Sequence, residues 1–197
     1  MKNFSVCVFC GSRSGDNPDY VNQAEKLGTL IAKSNWRLVY GAGNTGIMGA
    51  VAKATQKEKG KTFGVIPDHL VQREVGKTDL DHYIVTENMH ERKKLMFTNS
   101  DAIILLPGGP GSLDEFFEVL TWAQLGVHAK PIVLINVKNY WDPLLNLIDH
   151  TISAGFAEKS LKNLFKITES VDKAVEYIEN FDPVSYTHLT LPTMCSV

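Results

Sequence analysis

Two patterns of apolar positions alternate along the chain. Short runs rich in β-branched and aromatic residues read as strands: Phe4 to Cys10, Trp36 to Tyr40, Thr62 to Ile66, Tyr83 to Val85, Ala102 to Leu106, Pro131 to Asn136 and, weakly, Leu164 to Ile167. Between them lie stretches with helical spacing. Pro18 to about Ser34 carries Val21, Ala24, Leu27, Leu30 and Ile31 on one face. Further helices are predicted for Ile47 to about Lys59, from Asn88 onward with Glu91 as its capping partner, Ser112 to Gly126, Trp141 to Ala154, and Val171 to Ile178. This order predicts an α/β fold, a Rossmann-like doubly wound parallel sheet with helices on both faces. No repeat or linker interrupts it, so residues 1–183 read as a single domain. Asp68 to Leu80 is polar and irregular, a flap or a short helix. Val184 to Val197 has neither clear periodicity nor charge and resembles a translated cloning tail. It is predicted to pack poorly, and Cys195 and His188 within it receive no role.

Composition narrows the function classes. The chain has 197 residues, enough for one proper core, and a hydrophobic content of 44%. A formal net charge of -2 gives no electrostatic reason to expect nucleic acid. No run of about 18 apolar residues predicts a membrane span. The apolar run at Phe4 to Cys10 is too short for a signal peptide and lacks a small-residue cleavage site. Cys7 and Cys10 form a C-x-x-C, but positions i and i+3 of a strand face opposite sides, so they read as buried thiols. A reduced, cytoplasmic setting follows as an expectation. His69, His82, His128 and His150 lack metal-ligand spacing, and neither metal nor cofactor is predicted.

The candidate chemistry lies where strands meet helices. Pro107-Gly108-Gly109-Pro110-Gly111 joins an apolar strand to an apolar helix. Unpaired amides and the helix dipole make such a junction a site for an anion. The same turn carries Ser112, Asp114 and Glu115. Ser112 and Glu115 also have the spacing of a capping box, worth about 1 kcal/mol, so capping and chemistry both remain open. Asp114 points elsewhere and reads as a solvated acid. Gly41 to Gly46 matches G-x-G-x-x-G after a strand. It follows the second strand, and no acidic residue ends the next one. A dinucleotide site, a mononucleotide phosphate or ribose site and a structural turn all remain open. Met89 to Lys94 is either a basic solvent face or a source of Arg92 or Lys93 for the cleft. In an open α/β sheet, ligands bind outside the carboxyl ends of the strands. Ser12, Gly41, Gly43, Gly46 and Gly108 converge there as phosphate or ribose loops, together with Arg92, Lys93 and Glu115.

These residues carry a resemblance. Pro107 to Glu115 resembles the PGGxGTxxE signature of the Lonely Guy family, with Ser112 where Thr is usual. Met89-His90-Glu91-Arg92-Lys93 is similar to that family's MHxRK segment. Cys10 to Ser12, Val39 to Gly43, Gly46 to Gly49 and Thr121 to Gly126 are similar to its other blocks, with Ala42 where Gly is common. The resemblance spans roughly Phe4 to Phe181. It implies a cytokinin riboside 5'-monophosphate phosphoribohydrolase, which cleaves the N-glycosidic bond of an N6-modified AMP to free base and ribose 5-phosphate. It also implies relatives acting on AMP or other monophosphates, and an older lysine decarboxylase label that no lysine in a cofactor-binding motif supports here. A non-catalytic nucleotide or molybdenum-cofactor carrier shares the fold. By matching position, Arg92 and Glu115 are implied to be catalytic, and Glu74, Lys93, Gly109, Pro110, Gly111, Ser112 and Thr121 to contact substrate. Glu115 would stabilise positive charge on the ribose; Arg92 would serve phosphate, ribose or leaving base. The helix Phe116 to Leu125 is apolar nearly all round and must be covered on both sides. A homodimer is therefore expected, as is typical of the family.

Overall fold

The computed structural model describes residues 4–71 and 77–182. Seven strands form one parallel sheet: β1 (Ser5–Phe9), β2 (Arg37–Tyr40), β3 (Lys61–Pro67), β4 (His82–Thr86), β5 (Ala102–Leu105), β6 (Ile132–Ile135) and β7 (Lys166–Thr168). Six helices alternate with them: α1 (Pro18–Lys33), α2 (Gly46–Lys57), α3 (Met89–Thr98), α4 (Pro110–Gln124), α5 (Asp142–Ser153) and α6 (Val171–Glu179). The spatial order is β4-β3-β2-β1-β5-β6-β7. β1 is paired with β2 on one side and with β5 on the other, with Val6 to Phe9 in register with Ala102 to Leu105. The winding reverses between β1 and β5, which makes the doubly wound sheet expected from the alternation.

The strands are nearly continuous apolar runs because both faces are covered. Val6, Val8, Leu38, Ile104 and Val133 face α1, α2 and α6. Cys7, Phe9, Val39, Ile103 and Leu134 face the other way, toward α3, α4 and α5. Cys7 and Cys10 fall in the two opposite cores, both buried, as strand periodicity requires. Burial pushes the Cys7 thiol well above its usual range, and the Glu115 carboxylate adds to the shift. Cys7 is therefore a neutral core residue rather than a nucleophile.

Local signals set the helix starts. The Asn17 side chain accepts from the Asp19 amide at 2.9 Å, with Pro18 opening α1. Asn88 accepts from the Glu91 amide at 3.0 Å, as expected. The return bond from Glu91 reaches Glu87 N rather than the cap residue, so that box is displaced by one position. Leu164 belongs to a 3-10 turn over Lys159–Leu164, and the last strand starts two residues later than its apolar pattern suggests. The irregular segment opens with a 3-10 turn over Asp68–Leu70. Glu74 and the tail 184–197 lie outside the described residues. No helix among the described residues is long and apolar enough to cross a membrane.

Candidate active site

The carboxyl ends of β1, β2 and β5 open onto a cavity of about 570 Å³. It lies at the point where the strand order reverses, where an open α/β sheet leaves a crevice. Two loops form one wall. The Gly11 amide donates to Pro107 O at 3.0 Å, and the Leu106 amide to Phe9 O at 2.9 Å, so the loop after β1 is tied to the loop after β5. A Cβ at Gly11 would stand 3.3 Å from the Gly108 Cα, and one at Gly108 would overlap the Ser112 hydroxyl. The chain's own packing demands the glycine at 108 and leaves little room for a side chain at 11.

Gly109 and Gly111 differ from them. Neither has a positive φ, and a Cβ at either position would meet nothing within 4 Å. Both line the cavity. Gly109 is the cap residue of α4, and Pro110 its first helical residue. Proline is pre-organised for that position and removes an amide that would be unpaired anyway. It starts the helix two residues before Ser112. The capping-box reading of Ser112 and Glu115 is thereby corrected: Ser112 lies inside the first turn, and no side chain caps α4. Glu115 lies a turn further in, only 9% exposed, on the cavity wall.

Arg92 reaches the same cavity from α3 and is 5% exposed. Its Nη2 donates to Gly41 O at 3.0 Å and its Nε to Val65 O at 3.2 Å, and its Nη1 lies 3.8 Å from Met89 Sδ. The ends of β2 and β3 thus hold the guanidinium in place. Lys93 turns away. Its ammonium lies 3.0 Å from Asp114 and 3.2 Å from Glu118. Burial lowers its pKa, but the hydrogen bonds to these two carboxylates outweigh burial and leave it raised. Of the two basic candidates, Arg92 faces the cleft and Lys93 pins α3 to α4. Asp114, exposed as expected, is Lys93's partner.

Ser12, Gly41, Gly108, Gly109, Pro110, Gly111 and Ser112 all line the cavity. Gly43 and Gly46 do not. Gly46 has φ 58, and a Cβ there would crowd the backbone of Ser12 and Arg13, which the Thr45 hydroxyl also grips through Ser12 O at 3.1 Å. That part of the glycine motif is a structural turn. Ala42 has φ 57, a conformation that favours glycine and accounts for glycine being common there. Thr121 is exposed, and its hydroxyl donates back to Phe117 O at 2.7 Å. Tyr20, Met48, Met96 and Tyr140, not marked by the sequence as site residues, also line the cavity, as do Arg13 and Asp16 from the loop after β1. A signal existed for Tyr140, which closely follows a strand end just as Ser12 does. The methionines carry no such mark, since helical spacing makes them core residues and only the fold turns them to the cleft.

Residues 48–178 match a family model described as "possible lysine decarboxylase". The chain is 40% identical to the rice protein named probable cytokinin riboside 5'-monophosphate phosphoribohydrolase LOGL2, over 90% of this chain and 73% of that protein. It is 39% identical to cytokinin riboside 5'-monophosphate phosphoribohydrolase LOG1 of Arabidopsis thaliana, over 90% of this chain and 84% of that one. Among solved structures, the molybdenum cofactor binding protein of Rippkaea orientalis has a TM-score of 0.69 at 24% identity, covering 91% of this chain and 97% of its own. At that identity the likeness shows the shared Rossmann-like fold alone. Identity near 40% over most of both chains, with the glycine junction, Arg92 and Glu115 in one cavity, shows that the chain belongs to the Lonely Guy family of cytokinin riboside 5'-monophosphate phosphoribohydrolases.

Proposed function

We propose that this protein hydrolyses the N-glycosidic bond of adenosine 5'-monophosphates, N6-modified ones included, to free base and ribose 5-phosphate. One observation carries the reading. Gly109 and Gly111 are glycines that the chain's own packing does not require, at the start of a helix whose next turn brings Glu115 into the same cavity. A phosphate seated on the α4 amides places the attached ribose toward Glu115 and Arg92.

The roles follow from charge. Breaking the bond from C1' to the base nitrogen sends the electron pair to the base and leaves positive charge on the ribose. The Glu115 carboxylate stabilises that charge and takes a proton from the water that adds to C1'; the departing base, which holds the electron pair, gains one proton in exchange, so Glu115 ends as a carboxylate and the products are free base and ribose 5-phosphate. Arg92, anchored on two strand-end carbonyls, faces the phosphate, ribose or departing base. Ser112 and Ser12 border the phosphate end, and Met48, Met89 and Met96 give the cavity an apolar wall. Lys93 and Thr121 do not line the cavity and have no ligand contact within this chain in this reading.

Chromatography of free base released from AMP, isopentenyl-AMP, other monophosphates and free nucleosides tests the proposal. Release from monophosphates and not from nucleosides supports it, and equal rates on AMP and isopentenyl-AMP identify a general purine monophosphate nucleosidase. No release from any of them leaves a carrier. In the active protein, Glu115→Gln lowers kcat by about 10²-fold or more with binding retained. Near-normal turnover of that variant removes Glu115 from the mechanism.

The working form is proposed to be a cytoplasmic homodimer. Phe117, Thr121 and Leu125 share one exposed stripe of α4, with Leu125 71% exposed. A second copy seated on that stripe covers the apolar surface left open by the sheet.

A further inference from the structure

The segment between β6 and α5 is held at both ends and strained in the middle. Val137 is buried in the core on one face of the sheet and Trp141 in the core on the other. Asn136 fastens the turn: its Oδ1 accepts from the Trp141 amide at 2.7 Å and its Nδ2 donates to Asp142 at 2.8 Å. Between these anchors, Lys138 and Asn139 have φ of 51 and 60, two consecutive non-glycine residues in left-handed backbone. Such strain persists only where the surroundings impose it, and it concentrates at functional sites. Its result here is the placement of Tyr140, whose hydroxyl donates to Gly108 O at 2.6 Å.

That carbonyl belongs to the Gly108–Gly109 peptide. In a trans peptide the C=O and N–H point in opposite directions, so fixing Gly108 O fixes the Gly109 N–H. Gly109 has no side chain to restrict its rotation, and Pro110 has no amide to offer. The Gly109 amide is then one of few donors at this junction, and its direction depends on an outside anchor. A hydrogen bond to the carbonyl also polarises the peptide and strengthens the opposite N–H as a donor. The Tyr140 ring is seated edge-on against Tyr20 at 5.4 Å and Trp141 at 4.7 Å, and the Lys138 ammonium lies 3.2 Å from Asp19 at the start of α1.

We infer that Tyr140 is a positioning residue: its phenol locks the Gly108–Gly109 peptide so that the Gly109 amide faces the phosphate of the substrate. This inference rests on the proposed phosphate site at the start of α4. It predicts a selective loss in the Tyr140→Phe variant, which keeps the ring and its two aromatic contacts. KM for the best monophosphate rises about fivefold, with kcat changed by less than about twofold. By calorimetry, affinity for ribose 5-phosphate falls by a similar factor, and affinity for free adenine is unchanged. The inference is overturned if KM and ribose 5-phosphate affinity stay at wild-type values, or if adenine and ribose 5-phosphate affinities fall together. A wild-type protein that turns over no monophosphate refutes the functional reading instead. Ribose 5-phosphate titrations of both proteins then still decide the role of Tyr140.

Discussion

The guanidinium of Arg92 fills the space that a side chain at Gly41 would need. Arg92 Nη2 donates to Gly41 O at 3.0 Å, and a Cβ at position 41 would overlap that nitrogen. The glycine after β2 is therefore required by a cationic side chain from α3, with no positive φ involved. Gly41→Ala should push the guanidinium off its two carbonyl anchors. The expected result is a fall in kcat/KM of about 10²-fold, from an ångström-scale misplacement. Stability should fall by about 1–3 kcal/mol, as for other overpacked sites. Steady-state kinetics and urea unfolding check both, and an active variant would separate Arg92's position from catalysis.

Two other glycines should behave oppositely. Gly111 lies in the first turn of α4, where a Cβ enters open space, so Gly111→Ala should raise stability by about 0.5–1 kcal/mol. The same methyl stands where a phosphate would approach, so ribose 5-phosphate affinity should drop about tenfold or more. At Gly28, a Cβ would overlap Val51 O, where α1 crosses α2. Gly28→Ala should lose about 1–3 kcal/mol and keep its ligand affinity. Melting curves and calorimetry on the pair test whether the glycines divide into packing and ligand positions.

His128 should make folding acid-sensitive. Its Nε2 lies 2.8 Å from Val119 O, and its Nδ1 accepts from the Lys130 amide at 3.1 Å. That pairing fits the neutral ring with the proton on Nε2; a second proton on Nδ1 would confront an N–H. Burial pushes its pKa below 6.5, the Val119 carbonyl opposes that shift, and the Lys130 charge adds to it. The unfolded chain then binds more protons than the native one in this window. The stabilisation is full above about pH 6.5 and is lost as pH falls through that value toward the depressed pKa. Urea midpoints at pH 7.5 and 5.5 should show the loss. His128→Gln, which cannot titrate, should flatten its share of it.

The exposed stripe of α4 has a measurable consequence. Leu125→Glu places a charge on the most exposed hydrophobic residue of the surface assigned to a second copy and should convert a dimer into a monomer in sedimentation at micromolar concentration. A wild-type monomer under the same conditions overturns the dimer.

The alternation of β-rich runs and helical stretches was enough to fix a parallel, doubly wound sheet. Parallel strands need a crossover between them, and both faces must then be buried. The glycine junction after β5 was legible for a similar reason, because a strand, a glycine turn and a helix start leave amides unpaired wherever they occur. The opposite fates of Cys7 and Cys10 followed from strand periodicity alone.

Local pattern failed where two local rules competed or where a partner lay far along the chain. Ser112 and Glu115 had capping-box spacing, but Pro110 started the helix first and left Glu115 inside, on the cavity wall. Arg92 and Lys93 are adjacent and equally basic in sequence. Their roles were decided by Gly41 and Val65 on one side of α3 and by Asp114 and Glu118 on the other. Tyr140 meets Gly108 across 32 residues through a strained turn that no pattern announces. By itself, then, the sequence determined the sheet, its winding and the glycine junction that opens α4, because period and backbone valence are local properties. Only the tertiary structure decided which side chains face that loop, because a side chain's partner depends on how distant strand ends and helix faces are brought together.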